Sequence, residues 1–134
     1  MDLFYAPNTI SVVVAIALEE AGIAYTPRLV DFASAEQTKA AYLTLNPKGR
    51  VPALVTDQGT LTETGAILDY IGTMCPAMIP ADRFQAAKMR EVMYYVAATI
   101  HVAHAHRMRG SRWADAQSSL DDMRAKVPQT VGPI

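Results

Sequence analysis

The alternation of short apolar strands with helical patterns in the first 75 residues constrains the fold of this chain more than any other feature. A strand predicted at residues 3–5 is followed by a helix over residues 11–21, which Gly22 closes, and by a second strand over residues 26–30. A helix that joins two neighbouring strands of one sheet makes them parallel, with a right-handed crossover. The start of the chain therefore predicts a β-α-β unit.

A second helix and a β-hairpin are predicted next. Ser34 and Gln37 have the spacing of a capping box, which predicts a helix from Ser34 through about residue 45. Two strands, at residues 53–56 and 60–62, flank an Asp-Gln-Gly sequence, which is a hairpin signal. Because the strands of a hairpin are antiparallel, they extend the parallel pair into a mixed sheet.

A third helix completes the first domain. Thr62 can cap a helix over residues 63–74, in which three apolar residues share one face. The complete order of elements is β-α-β-α-β-β-α. We therefore expect a thioredoxin-like α/β domain with a mixed four-stranded sheet over residues 1–75.

A linker with two prolines separates this domain from a helical segment at residues 82–134. Asp82 can cap a long helix over residues 83–109, which contains neither glycine nor proline. Beyond it, Asp115 can cap a further helix, which Pro128 should kink or end. Two helices cannot enclose a core by themselves, so we expect an all-α domain that is incomplete within this chain.

The composition excludes several classes of protein. Hydrophobic residues make up 51% of the chain and charged residues 19%, which excludes a disordered protein. The net charge of −1 gives no general attraction to nucleic acid. Cys75 is the only cysteine, so neither an intrachain disulfide nor a Cys-x-x-Cys redox pair is possible.

The hydrophobic pattern also gives no membrane signal. The longest apolar run, residues 12–18, is much shorter than the ~20 residues of a membrane helix. The N-terminus lacks the basic flank and the cleavage site of a signal peptide. We therefore expect a cytoplasmic protein that binds neither membrane nor nucleic acid.

The first candidate site is the proline at the start of a predicted buried strand. The residues alone favour a trans bond before Pro52, because a proline at a strand start removes no ladder hydrogen bond. A cis bond would instead leave the backbone N–H and C=O of Val51 facing outward, where they can pair with an extended ligand.

The second candidate site is the predicted helix start at Glu63 and Thr64. Free N–H groups and the positive end of a helix dipole attract an anion, and the Thr64 hydroxyl adds a donor. The Glu63 carboxylate can take an ammonium. Together the two residues suit the head of an amino acid, and the alternative interpretation is ordinary capping.

The remaining candidates are hydroxyls near the first helix and histidines on the long one. Ser11 can donate to an anion with the help of the helix dipole, although a serine there is also an ordinary N-cap, and Tyr5 precedes it in the first strand. Neither His nor Asp lies near Ser11, so a Ser-His-Asp triad is not supported. His101 and His104 share a helix face, but no further ligand completes a metal site.

The combination of these stretches resembles the N-terminal, glutathione-binding domain of bacterial glutathione S-transferases over residues 1–75. The stretches that carry the resemblance are Leu3-Phe4-Tyr5-Ala6-Pro7, Ala17-Leu18-Glu19-Glu20-Ala21-Gly22, Asn46-Pro47-Lys48-Gly49-Arg50-Val51-Pro52-Ala53-Leu54 and Leu61-Thr62-Glu63-Thr64-Gly65-Ala66-Ile67. Residues 82–127 look like the first two helices of the family's all-helical C-terminal domain.

The resemblance implies roles for four residues in holding glutathione. Pro52 matches the family's cis proline, and Val51 matches the residue whose backbone pairs with the cysteinyl part of glutathione. Glu63 and Thr64 match the acid and the hydroxyl that hold the γ-glutamyl head. Glutathione is thus the implied ligand, as a substrate, and no metal is expected.

The resemblance also implies how the thiol is activated. Ser11 and Tyr5 match positions near the glutathione sulfur, where hydroxyl donation and a helix dipole lower the thiol pKa and produce a nucleophilic thiolate. Beta-class members carry a cysteine immediately before the serine. Ile10 stands there in this chain, which excludes a mixed disulfide with glutathione at that position and leaves Ser11 as the first candidate and Tyr5 as the second. His101 lines up with a histidine on the electrophile side.

The implied function is that of a glutathione transferase, a homodimeric enzyme that joins glutathione to a small electrophile. A non-catalytic relative that binds glutathione or a partner protein is the alternative. A glutaredoxin-like oxidoreductase is weaker, because the active loop has no cysteine. Family members continue through further helices, so we expect this chain to be truncated, degraded or a shortened gene product.

Overall fold

A computed structural model describes residues 1–132 and divides the chain into two compact units, Met1–Ile79 and a second that begins at Pro80. The first unit consists of four strands and three helices. In chain order they are β1 (Asp2–Tyr5), α1 (Ser11–Glu20), β2 (Thr26–Leu29), α2 (Ala40–Leu43), β3 (Ala53–Thr56), β4 (Gly59–Thr62) and α3 (Thr64–Met74).

The four strands form one mixed sheet in the order β2-β1-β3-β4. Strands β1 and β2 are parallel, whereas β1 pairs antiparallel with β3, and β3 pairs antiparallel with β4. The parallel pair follows from the α1 crossover and the antiparallel pair from the hairpin, as the sequence predicts. The thioredoxin-like α/β fold is therefore confirmed.

Helices α1 and α3 bury the core of this unit on one face of the sheet. The core residues come from two strands and both helices, and all are at least nine-tenths buried: Leu3, Val14, Ala17, Leu18, Leu54, Ile67 and Ile71. Side chains alternate along a strand, so Phe4 points to the other face. There its ring meets the ring of Tyr42 from α2 edge to face, with centroids 6.0 Å apart.

The second helix of this unit differs from its prediction. A 3₁₀ turn over Glu36–Thr38 and the short α2 replace the continuous helix expected from Ser34 to about residue 45. Ser34 does not cap it, because the Ser34 hydroxyl donates to the carbonyl of Asp31 instead. The expected capping role of Thr62 is also wrong, since Glu63 occupies the N-cap position of α3 and no side chain caps that helix.

The second unit is helical. Its elements are α4 (Arg83–Tyr95), a π-helical turn (Val96–Ile100), α5 (His101–Arg109) and α6 (Gln117–Val131). The helix predicted over residues 83–109 is thus continuous apart from the change of hydrogen bonding in its middle. Asp82 caps α4 as expected, because its Oδ1 accepts from the N–H of Gln85 at 2.9 Å.

For the last helix, the predicted cap at Asp115 and the predicted end at Pro128 are wrong. Asp115 does not cap α6, because Ala116 occupies the N-cap position without a side-chain bond. Pro128 lies inside α6 and does not end it; the helix continues to Val131, whose carbonyl accepts a hydrogen bond from the Tyr95 hydroxyl. Tertiary contacts routinely override local preference, and this hydrogen bond is a tertiary contact beyond Pro128.

Candidate functional site

The strand register brings the candidate residues of the first unit to one end of the sheet. Ala53, the first residue of β3, pairs with Phe4 of β1 and with Thr62, the last residue of β4. The residues just beyond these partners therefore leave the sheet at the same end. They are Tyr5 on β1, Val51 and Pro52 before β3, and Glu63 and Thr64 after β4.

The peptide bond between Val51 and Pro52 is cis. The trans bond favoured by the residues alone is therefore wrong, and the cis bond implied by the family resemblance is present. Pro52 is buried, whereas Val51 is half-buried. Within residues 1–132, neither the N–H nor the C=O of Val51 has a hydrogen-bond partner. Both groups are thus available to an extended ligand.

Hydrogen bonds from two buried side chains hold the chain immediately before Val51. The carbonyl of Arg50 accepts two hydrogen bonds, from the Tyr42 hydroxyl at 2.7 Å and from Asn46 Nδ2 at 2.6 Å. The Asn46 side chain is 1% exposed, and its Oδ1 also accepts from the N–H of Lys48. Burial raises the pKa of Tyr42 to about 12, which keeps its hydroxyl protonated as a donor.

The sequence interpretation did not assign a site role to Asn46 or Tyr42. An asparagine before a proline reads as a turn or a helix end, and a tyrosine in an apolar helix reads as core. Their common acceptor is visible only in the tertiary structure. Gly49 completes this turn at φ +61, and a Cβ there would lie 3.0 Å from the carbonyl oxygen of Gln37.

Glu63 has an unusual backbone at the start of α3. Its φ is 69 and its ψ 119, a conformation that non-glycine residues rarely adopt. Its carbonyl accepts the first helical bond, from Ile67 at 3.1 Å, so the next N–H groups have no acceptor within the helix. Thr64 is the first helical residue and is half-buried. Backbone outliers of this kind cluster at functional sites, which makes Glu63 a candidate site residue.

The Glu63 carboxylate already has a cationic neighbour. Lys48 Nζ lies 2.6 Å from Glu63 Oε1 and 3.0 Å from Thr62 Oγ1. Both side chains of this ion pair are largely exposed, at 50% for Lys48 and 66% for Glu63. The ion pair ties the turn before Pro52 to the turn before α3, and the sequence interpretation did not include it.

Ser11 is the first residue of α1 and is completely buried. Its Oγ accepts from the N–H of Ala6 at 3.0 Å, lies 3.2 Å from the carbonyl of Ala6 and lies 2.6 Å from Thr9 Oγ1. Ser11 is not the N-cap, which is Ile10. The hydroxyl of Ser11 therefore holds the loop between β1 and α1 together, and a ligand has to displace one of these partners to receive its proton.

The other two candidates lie in different surroundings. Tyr5 is half-buried and packs against the core, while its N–H and C=O belong to β1. His101 is exposed at the start of α5 in the second unit. His104 Nδ1 lies 3.0 Å from the carbonyl of Ile100, and His106 packs its ring edge to face against Trp113.

The described part of the chain contains neither a metal-binding cluster nor a membrane-spanning helix. Among residues 1–132, no group of three or more His, Cys, Asp and Glu side chains is arranged to hold a metal ion. Across the same residues, no helix combines the length and the apolar character needed to cross a bilayer.

Two curated proteins are similar to this chain in sequence. The chain is 36% identical over 106 residues to the glutathione S-transferase GstA of Escherichia coli O157:H7, covering 75% of this chain and 53% of that protein. It is 37% identical over 105 residues to a maleylacetoacetate isomerase of Pseudomonas aeruginosa, covering 75% and 50%. The chain thus spans about half the length of these curated relatives.

A solved structure gives a stronger match. A glutathione transferase homologue from Sulfitobacter with bound glutathione is 59% identical and superposes with a TM-score of 0.89, covering 97% of this chain and 64% of that one. The family model for the glutathione S-transferase N-terminal domain matches residues 1–73, more than half of the chain. This chain therefore belongs to the glutathione S-transferase family.

Proposed function

We propose that this chain binds glutathione at the end of the sheet formed by Val51, Pro52, Glu63 and Thr64. The observation that carries the proposal is the unpaired backbone of Val51, held by a cis proline beside the start of α3. An extended peptide can pair with that backbone as an added strand. The acid and the hydroxyl next to it suit the charged head of the γ-glutamyl residue.

The relatives support this assignment of the ligand. The Sulfitobacter homologue contains bound glutathione and matches nearly the whole of this chain. The positive φ of Glu63 adds an independent argument, because glycine would occupy that backbone at lower cost. A glutamate there indicates that the carboxylate has a function.

The proposed reaction is attack of the glutathione thiolate on a small electrophile. Donors directed at the sulfur lower the thiol pKa and increase the fraction of thiolate. Ser11 is the first proposed donor and Tyr5 the second, with His101 proposed on the electrophile side. We expect Ser11→Ala to lower conjugation of a chloronitroarene at least about tenfold with little change in glutathione affinity, and Tyr5→Phe to lower it less.

The test of binding is calorimetric titration with glutathione. Glu63→Gln keeps the size of the side chain and removes its charge. Loss of a hydrogen bond to a charged group should weaken binding by about 1.5–3 kcal/mol. Asp122→Asn is a matched control, since Asp122 is also an exposed carboxylate within 2.6 Å of a lysine, on α6. Equal affinity for wild type and Glu63→Gln would place the site elsewhere.

A non-catalytic glutathione-binding protein is the second candidate function. The observation that favours it is the complete burial of the Ser11 hydroxyl among partners in its own loop. The absorbance of the thiolate in the complex distinguishes the two functions. If the pKa of the glutathione thiol falls on binding, the result supports an enzyme. If that thiol pKa is unchanged, the result supports a binding protein.

We also propose that the chain associates as a homodimer. Several large apolar side chains of the second unit are more than half exposed: Phe84, Val92, Tyr94, Met108 and Trp113. Val96 and Ile100 of the same unit are half-buried. Exposed apolar patches favour association. A monodisperse monomer in light scattering at micromolar concentration would contradict this proposal.

A further inference from the structure

Lys48 holds its ammonium at the turn into α3 through contacts at both ends of its side chain. Its backbone N–H donates to Oδ1 of the buried Asn46 at 3.1 Å, which fixes the turn that carries it. Its Nζ lies 2.6 Å from Glu63 Oε1 and 3.0 Å from Thr62 Oγ1. The position of this charge is therefore defined by the fold as well as by the ion pair.

The ion pair leaves hydrogen-bonding capacity on both partners. A lysine ammonium has three donors, and two of them are directed at Glu63 and Thr62. A carboxylate has two acceptor oxygens, and Lys48 contacts only Oε1 of Glu63. One donor and one carboxylate oxygen are thus available side by side on an exposed surface.

A pair of this kind distinguishes ligands by their charges. A ligand with a single positive charge is attracted by Glu63 and repelled by Lys48, and a single negative charge experiences the reverse. A group that carries both charges on one carbon gains from both partners. The net charge of the pair is zero, so the pair by itself favours neither an anion nor a cation.

We propose that Lys48 is a specificity-determining residue that binds the α-carboxylate of the γ-glutamyl head while Glu63 binds its α-ammonium. This inference rests on the proposed binding of glutathione at the end of the sheet. It assigns the selection of a zwitterionic head to the ion pair together, with Thr64 and the start of α3 as further donors to the same carboxylate. Lys48 does not compete with the ligand, because its third donor remains available.

The test compares wild type with Lys48→Met by calorimetric titration of three ligands. They are glutathione, 4-aminobutyryl-cysteinyl-glycine, which lacks the α-carboxylate, and glutaryl-cysteinyl-glycine, which lacks the α-ammonium. Lys48→Met should lower the affinity for glutathione and for the glutaryl peptide about fivefold, as expected for loss of one exposed ion pair. Affinity for the aminobutyryl peptide should stay the same or increase, since a repulsive charge is removed.

Two further variants separate recognition from folding. Lys48→Arg retains the charge and should retain the preference for glutathione over the aminobutyryl peptide. Lys126→Met is the matched control, because Lys126 is an exposed lysine at the same 2.6 Å from its own acidic partner, on α6. It should leave all three affinities unchanged.

Two results would overturn the inference and leave the proposed function intact. If Lys48→Met lowers the affinity for all three ligands equally, Lys48 only connects the two turns structurally. If Lys48→Met raises the affinity for glutathione, Lys48 competes with the ligand ammonium for Glu63. No binding of glutathione by the wild-type chain would overturn the proposed function and this inference together.

Discussion

Replacement of Ser11 by alanine tests whether its hydroxyl supports the loop between β1 and α1. Ser11 and Ala6 are 0% and 2% exposed, and the N–H of Ala6 donates to Ser11 Oγ at 3.0 Å. Ser11→Ala leaves that buried N–H without an acceptor, which costs about 1–3 kcal/mol. The carbonyl of Ala6 keeps a donor, because the Thr9 hydroxyl also bonds to it at 2.8 Å. We therefore expect the free energy of unfolding to fall by about 1–3 kcal/mol.

Urea unfolding followed by far-ultraviolet circular dichroism measures this loss, and amide hydrogen exchange at Ala6 locates it. Ser118→Ala is the control, since Ser118 is exposed in α6 and alanine is the better helix former. Unfolding free energy within about 0.5 kcal/mol of wild type, with unchanged exchange at Ala6, would refute the reasoning.

The same variant separates a structural role of Ser11 from a catalytic one. Conjugation should be measured at a temperature at which both proteins are fully folded. A tenfold loss there supports donation from Ser11 to the glutathione thiolate. A loss that follows only the folded fraction supports a role in positioning the loop.

Glu63, Tyr42 and Gly49 each allow a further test of the site. Glu63→Gly should raise or preserve the unfolding free energy, because a φ of 69 suits glycine. The affinity for glutathione, measured by calorimetry, should fall. A clear loss of stability would contradict this prediction. Burial raises the pKa of Tyr42 from 10.0 to about 12, so its contribution to stability should be complete below pH 10 and decline as the pH rises toward 12. In urea unfolding at increasing pH, Tyr42→Phe should make the unfolding free energy decline less than it does in wild type. The same decline in both proteins would count against this prediction. Gly49→Ala should lower the thermal unfolding temperature more than Gly22→Ala does. Both glycines have positive φ, but only a Cβ at Gly49 would meet a carbonyl oxygen, at 3.0 Å. Equal decreases in unfolding temperature would disprove the close contact.

Local signals predicted the first unit well because hydrophobic period and turn residues agree there. Strands β1, β3 and β4 and helix α1 begin and end within about two residues of their predicted limits. The crossover helix required a parallel pair and the hairpin an antiparallel one, so the sheet followed from the order of elements. The Asn-Pro-Lys-Gly and Thr-Glu-Thr stretches also indicated the family.

Capping signals were less reliable than periodicity. Asp82 caps α4, but Ser34, Thr62 and Asp115 have equally good sequence contexts and do not cap a helix. A short polar side chain has several backbone partners within reach, and the competition among them depends on the surrounding chain. Pro128 likewise remains within α6, where contacts with neighbouring helices favour a continuous segment.

The sequence by itself determined the order of elements, the family and the residue types at the proposed glutathione site. Only the tertiary structure decided how the polar groups of that site are paired. The bond before Pro52 is cis although the local residues favour trans. The carbonyl of Arg50 receives donors from side chains 8 and 4 residues away, and Lys48 pairs with Glu63 across 15 residues of chain. Sequence patterns report periodicity and local preference, whereas a hydrogen bond between distant residues depends on distances that the folded chain sets.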